Sequence, residues 1–273
     1  MNYKVKSTNT TKYISLHDCL CKNLHINDST LTLEMEWMEI EAQHPENPYN
    51  QAHSSDEGVI EFEGVIVLDV ITSGAERGTD NSFQEYNSTE IMDFNETTVS
   101  SLYRYGVLDF FDDSKNYVCI SFLFKKSTVM WNKLADTSWF EDLKFQKGIQ
   151  TEEILTMLSQ NNDDKTQKQG IELASKLKYL GHLFQPVIDN ESKSLWENCA
   201  QILNVKTDEE LNPWLIDCFI WLQDMNWPGA EIIANRLKAM KDTDNYEYNK
   251  QKAVRIAEIV NDKEWLENLR LYL

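Results

Sequence analysis

The sequence predicts an α+β protein, with an N-terminal antiparallel β sheet or sandwich followed by a C-terminal all-α domain of HEAT-like helical repeats. Three observations carry that expectation. Apolar residues recur with period two between residues 13 and 130. Helical spacing takes over from about residue 138, placing the domains at 1–135 and 136–273. The stretch Leu211 to Leu237, LNPWLIDCFIWLQDMNWPGAEIIANRL, reads as helix, tight corner, helix, with Pro228 suited to the first turn of the second helix.

In the first half, Tyr13 to Ile26 supplies a first strand and Leu31 to Met38 a second, joined by a turn at Asn27-Asp28-Ser29. A polar loop is expected from His44 to Glu57. Strand pattern returns from Gly58 to Ser73, and Gly74 to Asn81 reads as a second loop. Val107 to Phe111 and Tyr117 to Phe124 make a further hairpin, for about six strands in all.

Helices are expected over Glu152–Gln160, Gln169–Leu180, Ser194–Val205, Glu209–Met225, Pro228–Met240 and Asn249–Val260, with a short last one to Leu273. Thr207 stands three positions before Glu210, the capping-box spacing, and Asp262 is placed to cap the final helix. Two internal matches suggest stacked helix pairs: Leu173–Leu180 with Ile233–Met240, and Ala200–Lys206 with Ala257–Lys263. Trp227, at the corner, is expected in the core. Trp196 and Trp221 share that expectation, whereas Trp214, just after Pro213, is expected to be partly exposed.

The 273 residues carry 45 acidic and 26 basic side chains, a net charge of −19. Such a surface repels nucleic acid and anionic membranes and attracts basic partners; acidity also serves solubility alone. Residues 1 to 12, MNYKVKSTNTTK, lack the apolar core of a signal peptide, and no run approaches the length of a membrane span. Five cysteines, an odd number in apolar settings, read as free thiols of a reducing cytoplasm.

The run WENCAQIL…DEELNPWLIDCFIWLQDMNWPGAEIIANRL with the terminal NDKEWLENL resembles an uncharacterised family of bacterial helical domains marked by the WLQDMNWPGA corner, over residues 165 to 273. Leu16-His17-Asp18-Cys19 is similar to the opening of small bacterial β domains with a His-Asp-Cys strand. The resemblance carries no established activity. It implies a bacterial cytoplasmic protein with relatives linked to immunity against secreted toxins.

Three constellations bear on chemistry. His17, Asp18, Cys19, Cys21 and His25 include zinc-ligand types, and strand parity puts His17, Cys19, Cys21 and His25 on one face. One strand seldom closes a tetrahedral shell, so core thiols beside an edge histidine are the plainer expectation. The His44–Glu57 loop joins His44 and His53 to acids, the residue types of general acid–base chemistry, without a nucleophile motif or phosphate loop. Asp109 to Asn116 lacks the Gly and Glu of a calcium loop and reads as a hairpin turn.

The function these features suggest is non-catalytic. They point to a protein-binding module of immunity type that masks a basic partner, a toxin, without cofactor or metal. Its expected binding residues are Glu46, Asp56, Glu57 and Trp214. The alternative is a hydrolase or metal-dependent enzyme using His17 with His25, or His44 with His53.

Overall fold

Leu31, Leu33 and Met35 alternate with Thr32 and Glu34, and burial follows that alternation, the first three being closed off from solvent. A computed structural model of the chain describes residues 3–73, 83–138, 151–177, 179–186, 193–240 and 243–273. The chain divides into two units, Met1–Gln146 and Lys147–Leu273. The first is antiparallel β and the second helical, the α+β layout expected from the sequence.

Among the described residues the β unit holds strands β1 (Val5–Thr8), β2 (Ile14–Ser15), β3 (Leu20–Asn27), β4 (Thr30–Met35), β5 (Glu39–Ile40), β6 (His53–Ser55) and β7 (Gly58–Glu63). They continue as β8 (Ile66–Thr72), β9 (Tyr86–Thr98), β10 (Arg104–Phe111), β11 (Tyr117–Phe124), β12 (Lys126–Trp131) and β13 (Leu134–Thr137). Nine form one sheet in the order β1-β12-β7-β4-β3-β9-β10-β11-β8, and β13-β6-β5-β2 form a second. The large sheet rolls over on itself. Phe62 of β7 meets Phe122 and Phe124 of β11 at 5.3 and 4.9 Å between ring centres, although β7 and β11 are far apart in the hydrogen-bonded order. The rings fill the interior, and polar residues at alternate positions line the outside.

Several expectations are corrected. The proposed first strand, Tyr13 to Ile26, is a 3-10 turn at Thr11–Tyr13, then β2, then β3, while β1 precedes it unforeseen. Gly58 to Ser73 is two strands, parted where Gly64 takes φ +68°. The turn after Asn27 is where the sequence puts it, with Asp28 at φ +55°. The hairpin at Asp112–Asn116 is also found, the Asn116 N–H donating to the Asp112 carboxylate at 2.8 Å. The expected loop at Gly74 to Asn81 lies outside the described residues.

The helical unit contains α1 (Thr151–Met157), α2 (Asp164–Ala174), α3 (Trp196–Asn204), α4 (Asp208–Leu211), α5 (Leu215–Ile220), α6 (Ala230–Met240), α7 (Asp244–Val260) and α8 (Lys263–Leu271). The single helix expected over Glu209–Met225 is broken into α4 and α5, with 3-10 turns at Asn212–Trp214 and Trp221–Gln223. Pro213 has no N–H to offer an α-helical ladder, which breaks the run at that turn.

The corner is closed by Trp221, not Trp227. Trp221 is fully buried and its Nε1–H donates to the Pro228 carbonyl at 3.0 Å. Trp227 is half-buried and meets Trp196 edge to face at 5.4 Å. Gly229 follows at φ +82°. Helix α8 then braces the end of α5 and the turn after it: Trp265 donates to Phe219 O at 2.8 Å and Asn268 to Leu222 O at 2.9 Å.

Both predicted caps form. Thr207 and Glu210 bond reciprocally, and the Asp262 carboxylate accepts from the Trp265 N–H. The buried Lys206 ammonium donates to Ser175 O and Leu177 O beyond the end of α2 and pairs with Glu210. The two internal sequence matches fare differently. Ala200–Lys206 and Ala257–Lys263 both run off the end of a helix, whereas α2 ends at Ala174 and the matching Ile233–Met240 is helical throughout.

Candidate binding groove

Period-two alternation places Thr30, Thr32 and Glu34 of β4 on the outer face of the rolled sheet, and the antiparallel register sets their neighbours. One cross-strand row runs His25, Thr32, Glu61, Thr128. The next runs Glu34, Val59, Met130, Lys6. A third joins Thr30, Glu63 and Lys126, the last two ion-paired. Side chains opposite each other on such rows stand about 4.5–5.5 Å apart at Cβ. A groove of about 610 Å³ lies over the first two rows, with Thr128 beneath it rather than in its wall, and is walled also by Tyr3, Lys22 and Glu57.

Lys22 pairs with Glu57 at 2.5 Å across the groove's rim. Among the described residues no ion pair joins Glu34 or Glu61. Val59 and Met130 give the groove an apolar strip between these carboxylates and Lys6.

Of the four residues expected to bind, the structure brings only Glu57 into this groove. Its neighbour Asp56 is occupied otherwise: its carboxylate accepts from the backbone N–H groups of Asn132 and Lys133 at 3.0 and 3.2 Å, tying the turn before β7 to the end of β12. Glu46 is exposed at the tip of its loop, and its backbone N–H donates to His44 Nδ1 at 3.1 Å. Trp214 belongs to the helical unit. It is half-buried, stacked on Phe184 at 5.5 Å and meeting the exposed Tyr179 edge-on at 5.2 Å.

The histidine constellations are also rearranged. His44 is not a surface group: it is 1% exposed, packs edge-on to Trp131 at 5.2 Å and has Nε2 3.0 Å from the Thr10 hydroxyl. Because Nδ1 accepts from Glu46, the proton sits on Nε2 and is donated to Thr10. Burial lowers the His44 pKa to about 4, so the ring is neutral at physiological pH. The expected polar loop is thus an anchored segment. Asn47 adds to the anchoring by donating to Ile40 O and Gln51 O, and β6 forms within it.

Around Cys19 the shared face predicted by parity does not survive. A bulge between Cys21 and Asn23 shifts the alternation, so Cys19, Cys21 and Leu24 face the core while His17 is exposed and His25 looks outward. Burial raises the thiol pKa of Cys19 to about 12 and of Cys21 to about 11, which leaves both protonated at neutral pH.

A second polar group escaped the sequence reading. Asp93 and Asp109 stand directly opposite each other on β9 and β10, with Cys119 opposite Asp109 on β11. Cys119 is accordingly only partly buried, not sunk in the apolar setting its neighbours suggest. Burial, and then Asp93, raise the Asp109 carboxyl above its usual range, while bonds from Cys119 and Tyr117 pull the other way. The signal was present in the sequence: VLDF and MDFN each put an Asp at an outward strand position.

A family model described as a domain of unknown function, DUF5071, matches residues 192–272. The match is to an uncharacterised family. It takes in α3 to α8, with the Trp221–Gly229 corner and the Trp265 and Asn268 bonds that complete it. The β unit lies outside the match. No curated protein and no solved structure matches the chain. No helix among the described residues is long and apolar enough to cross a membrane.

Proposed function

We propose that this is a non-catalytic protein-binding module of immunity type, which masks a basic partner, a toxin, with the acidic groove of its β unit. The observation that carries the reading is the outward display of Glu34 and Glu61 in one groove with no ion pair on either among the described residues, in a chain of net charge −19. Charge of this kind steers a basic partner at long range, and groove walls then exclude water from the contact. A cytoplasmic setting suits the five free thiols.

The test is kinetic. A basic toxin captured from the secreted proteins of the source organism should associate with an on-rate that falls steeply with salt and an off-rate that changes less, since exposed charges are screened over about 8–10 Å at physiological ionic strength. Glu34→Gln with Glu57→Gln should slow association, whereas Glu46→Gln, away from the groove, should not. An on-rate indifferent to salt and to the groove carboxylates would overturn the masking proposal.

A further inference from the structure

Apart from the groove, a cavity of about 140 Å³ lies beside the 3-10 turn and is lined by Thr11, Lys12, Ile14, Phe94, Asn95 and Glu96. We propose that it is a binding site for a short-chain monocarboxylate, independently of the masking reading. Glu96 shares a face of β9 with Phe94, whose ring meets those of Phe62 and Phe122 inside the roll. Opposite Glu96 on β10 stands Gly106, and the Phe122 ring fills the space of its missing side chain, so that a Cβ there would be 2.9 Å from the ring. The Glu96 carboxyl is therefore the polar end of an apolar interior. Thr11 Oγ1 donates to its Oε2 at 2.7 Å. The fully buried Ser127 hydroxyl, 3.0 Å from Thr11 Oγ1, donates to Thr11 in turn, since the one Thr11 proton is already engaged. These bonds fix Oε2 and leave Oε1, which makes no hydrogen bond among the described residues, to the cavity.

Charge selects the ligand. Lys12 lines the cavity with its ammonium 5.0 Å from the Tyr13 ring centre, and Arg104 of β10 acts on Glu96 from outside the lining. Two positive charges thus bear on one carboxyl, which favours an entering anion over a cation. Burial raises the Glu96 carboxyl above its usual range, and Thr11, Arg104 and Lys12 pull it back; no other charged group of the 3-10 turn, β10 or β12 acts on it among the described residues. In the complex Glu96 is protonated: Oε1–H donates to one ligand oxygen, Lys12 pairs with the other, and one proton enters from solvent with each anion. Ile14 and Phe94 receive the hydrocarbon chain. A cavity of about 150 Å³ admits a molecule the size of benzene, which sets the ligand at about six heavy atoms, the size of butyrate.

The experiment titrates the isotope-labelled full chain with sodium butyrate and follows its amide NMR spectrum at about pH 6 and about pH 8, at fixed ionic strength because salt screens these charges. Saturating shifts should centre on residues 11–14 and 94–96. Affinity should fall by up to about tenfold per pH unit, because the bound state holds one more proton. Butylammonium, of similar length and opposite charge, should produce none of these shifts. Glu96→Gln puts an N–H donor where the carboxyl O–H stands, so it should still bind butyrate at the higher pH and lose the pH dependence. Lys12→Met, at an exposed position, should weaken butyrate several-fold at both pH values, and it decides the question should Glu96→Gln not fold. The absence of saturable shifts at these residues, a parent affinity indifferent to pH, or binding of butylammonium in place of butyrate would overturn the inference.

Discussion

Replacing Gly229 by Ala tests whether the corner holds the helical unit together. A Cβ at Gly229 would stand 2.4 Å from the Cβ of Ala200 on α3 and 3.2 Å from the Trp196 carbonyl oxygen. Carbon atoms pack best at about 3.5–4.0 Å, so something must move, and neither neighbour is the end of a flexible side chain. Overpacking of this kind costs about 1–3 kcal/mol. Gly229 also sits at φ +82°, where an L side chain adds about 1–2 kcal/mol of strain. Gly229→Ala should therefore destabilise the unit by about 2–5 kcal/mol. The two causes separate in a double-mutant cycle. Ala200→Gly relieves the overlap but leaves the backbone strain, so about 1–3 kcal/mol of coupling should appear between the two sites. Urea unfolding of the full chain followed by tryptophan fluorescence, with Trp196 and Trp221 beside the corner, reads both quantities. A loss below about 1 kcal/mol, or strict additivity of the two substitutions, would refute the close approach of corner and helix.

Trp221→Ala should cost about 3–5 kcal/mol and leave the Pro228 carbonyl short of a donor, while Trp227→Ala, at a half-buried ring, should cost less than half of that in the same urea experiment. Asn268→Ala should cost about 1–3 kcal/mol, because the buried Leu222 carbonyl loses its donor; amide exchange should then speed up in α5 and α8 together. His44 adds a pH dependence of known sign. Its pKa falls from 6.5 in the unfolded chain to about 4 when folded, so the unfolded state binds more protons between these values. Its contribution is fully present above pH 6.5 and is lost as pH falls towards 4, by up to about 3 kcal/mol at one pKa unit per 1.36 kcal/mol. Urea midpoints of the parent and of His44→Gln, compared between pH 4 and pH 7, should differ in slope over this window, and parallel curves would refute the buried neutral ring.

How much of this was legible in the sequence depends on what each signal averages over. Caps and two-residue turns are local, and Thr207, Asp262 and the Asp28 turn all stand where their residues place them. Long strands with one solvated face are harder to see. β9, the longest strand among the described residues, reads YNSTEIMDFNETT; its outer positions are polar, and a bulge opposite Asp109 and Phe110 breaks its alternation. The same kind of interruption at Cys21 and Asn23 defeated the parity argument for a histidine–cysteine face. In the helical unit, spacing alone carried the expected helix past Pro213, and the choice between Trp221 and Trp227 turned on which indole N–H finds a carbonyl across the corner.

The groove was legible only in part, and for a reason that bears on its function. Glu57 stands out as an acid in a polar segment, but Glu34 and Glu61 look like the ordinary outer positions of two amphipathic strands 27 residues apart. What joins them is register: β4 and β7 are hydrogen-bonded neighbours, and Thr32 stands opposite Glu61. A one-residue slip of β7 against β4 would turn Glu61 inward and Ile60 and Phe62 outward, so the apolar core that fixes the register also fixes the acidic face. The proposed binding surface is thus the outer half of a pattern whose inner half is the Phe62 cluster. A core substitution that lets β7 slip should slow association of the proposed partner without touching a single groove residue, and an unchanged on-rate would refute the link between register and groove.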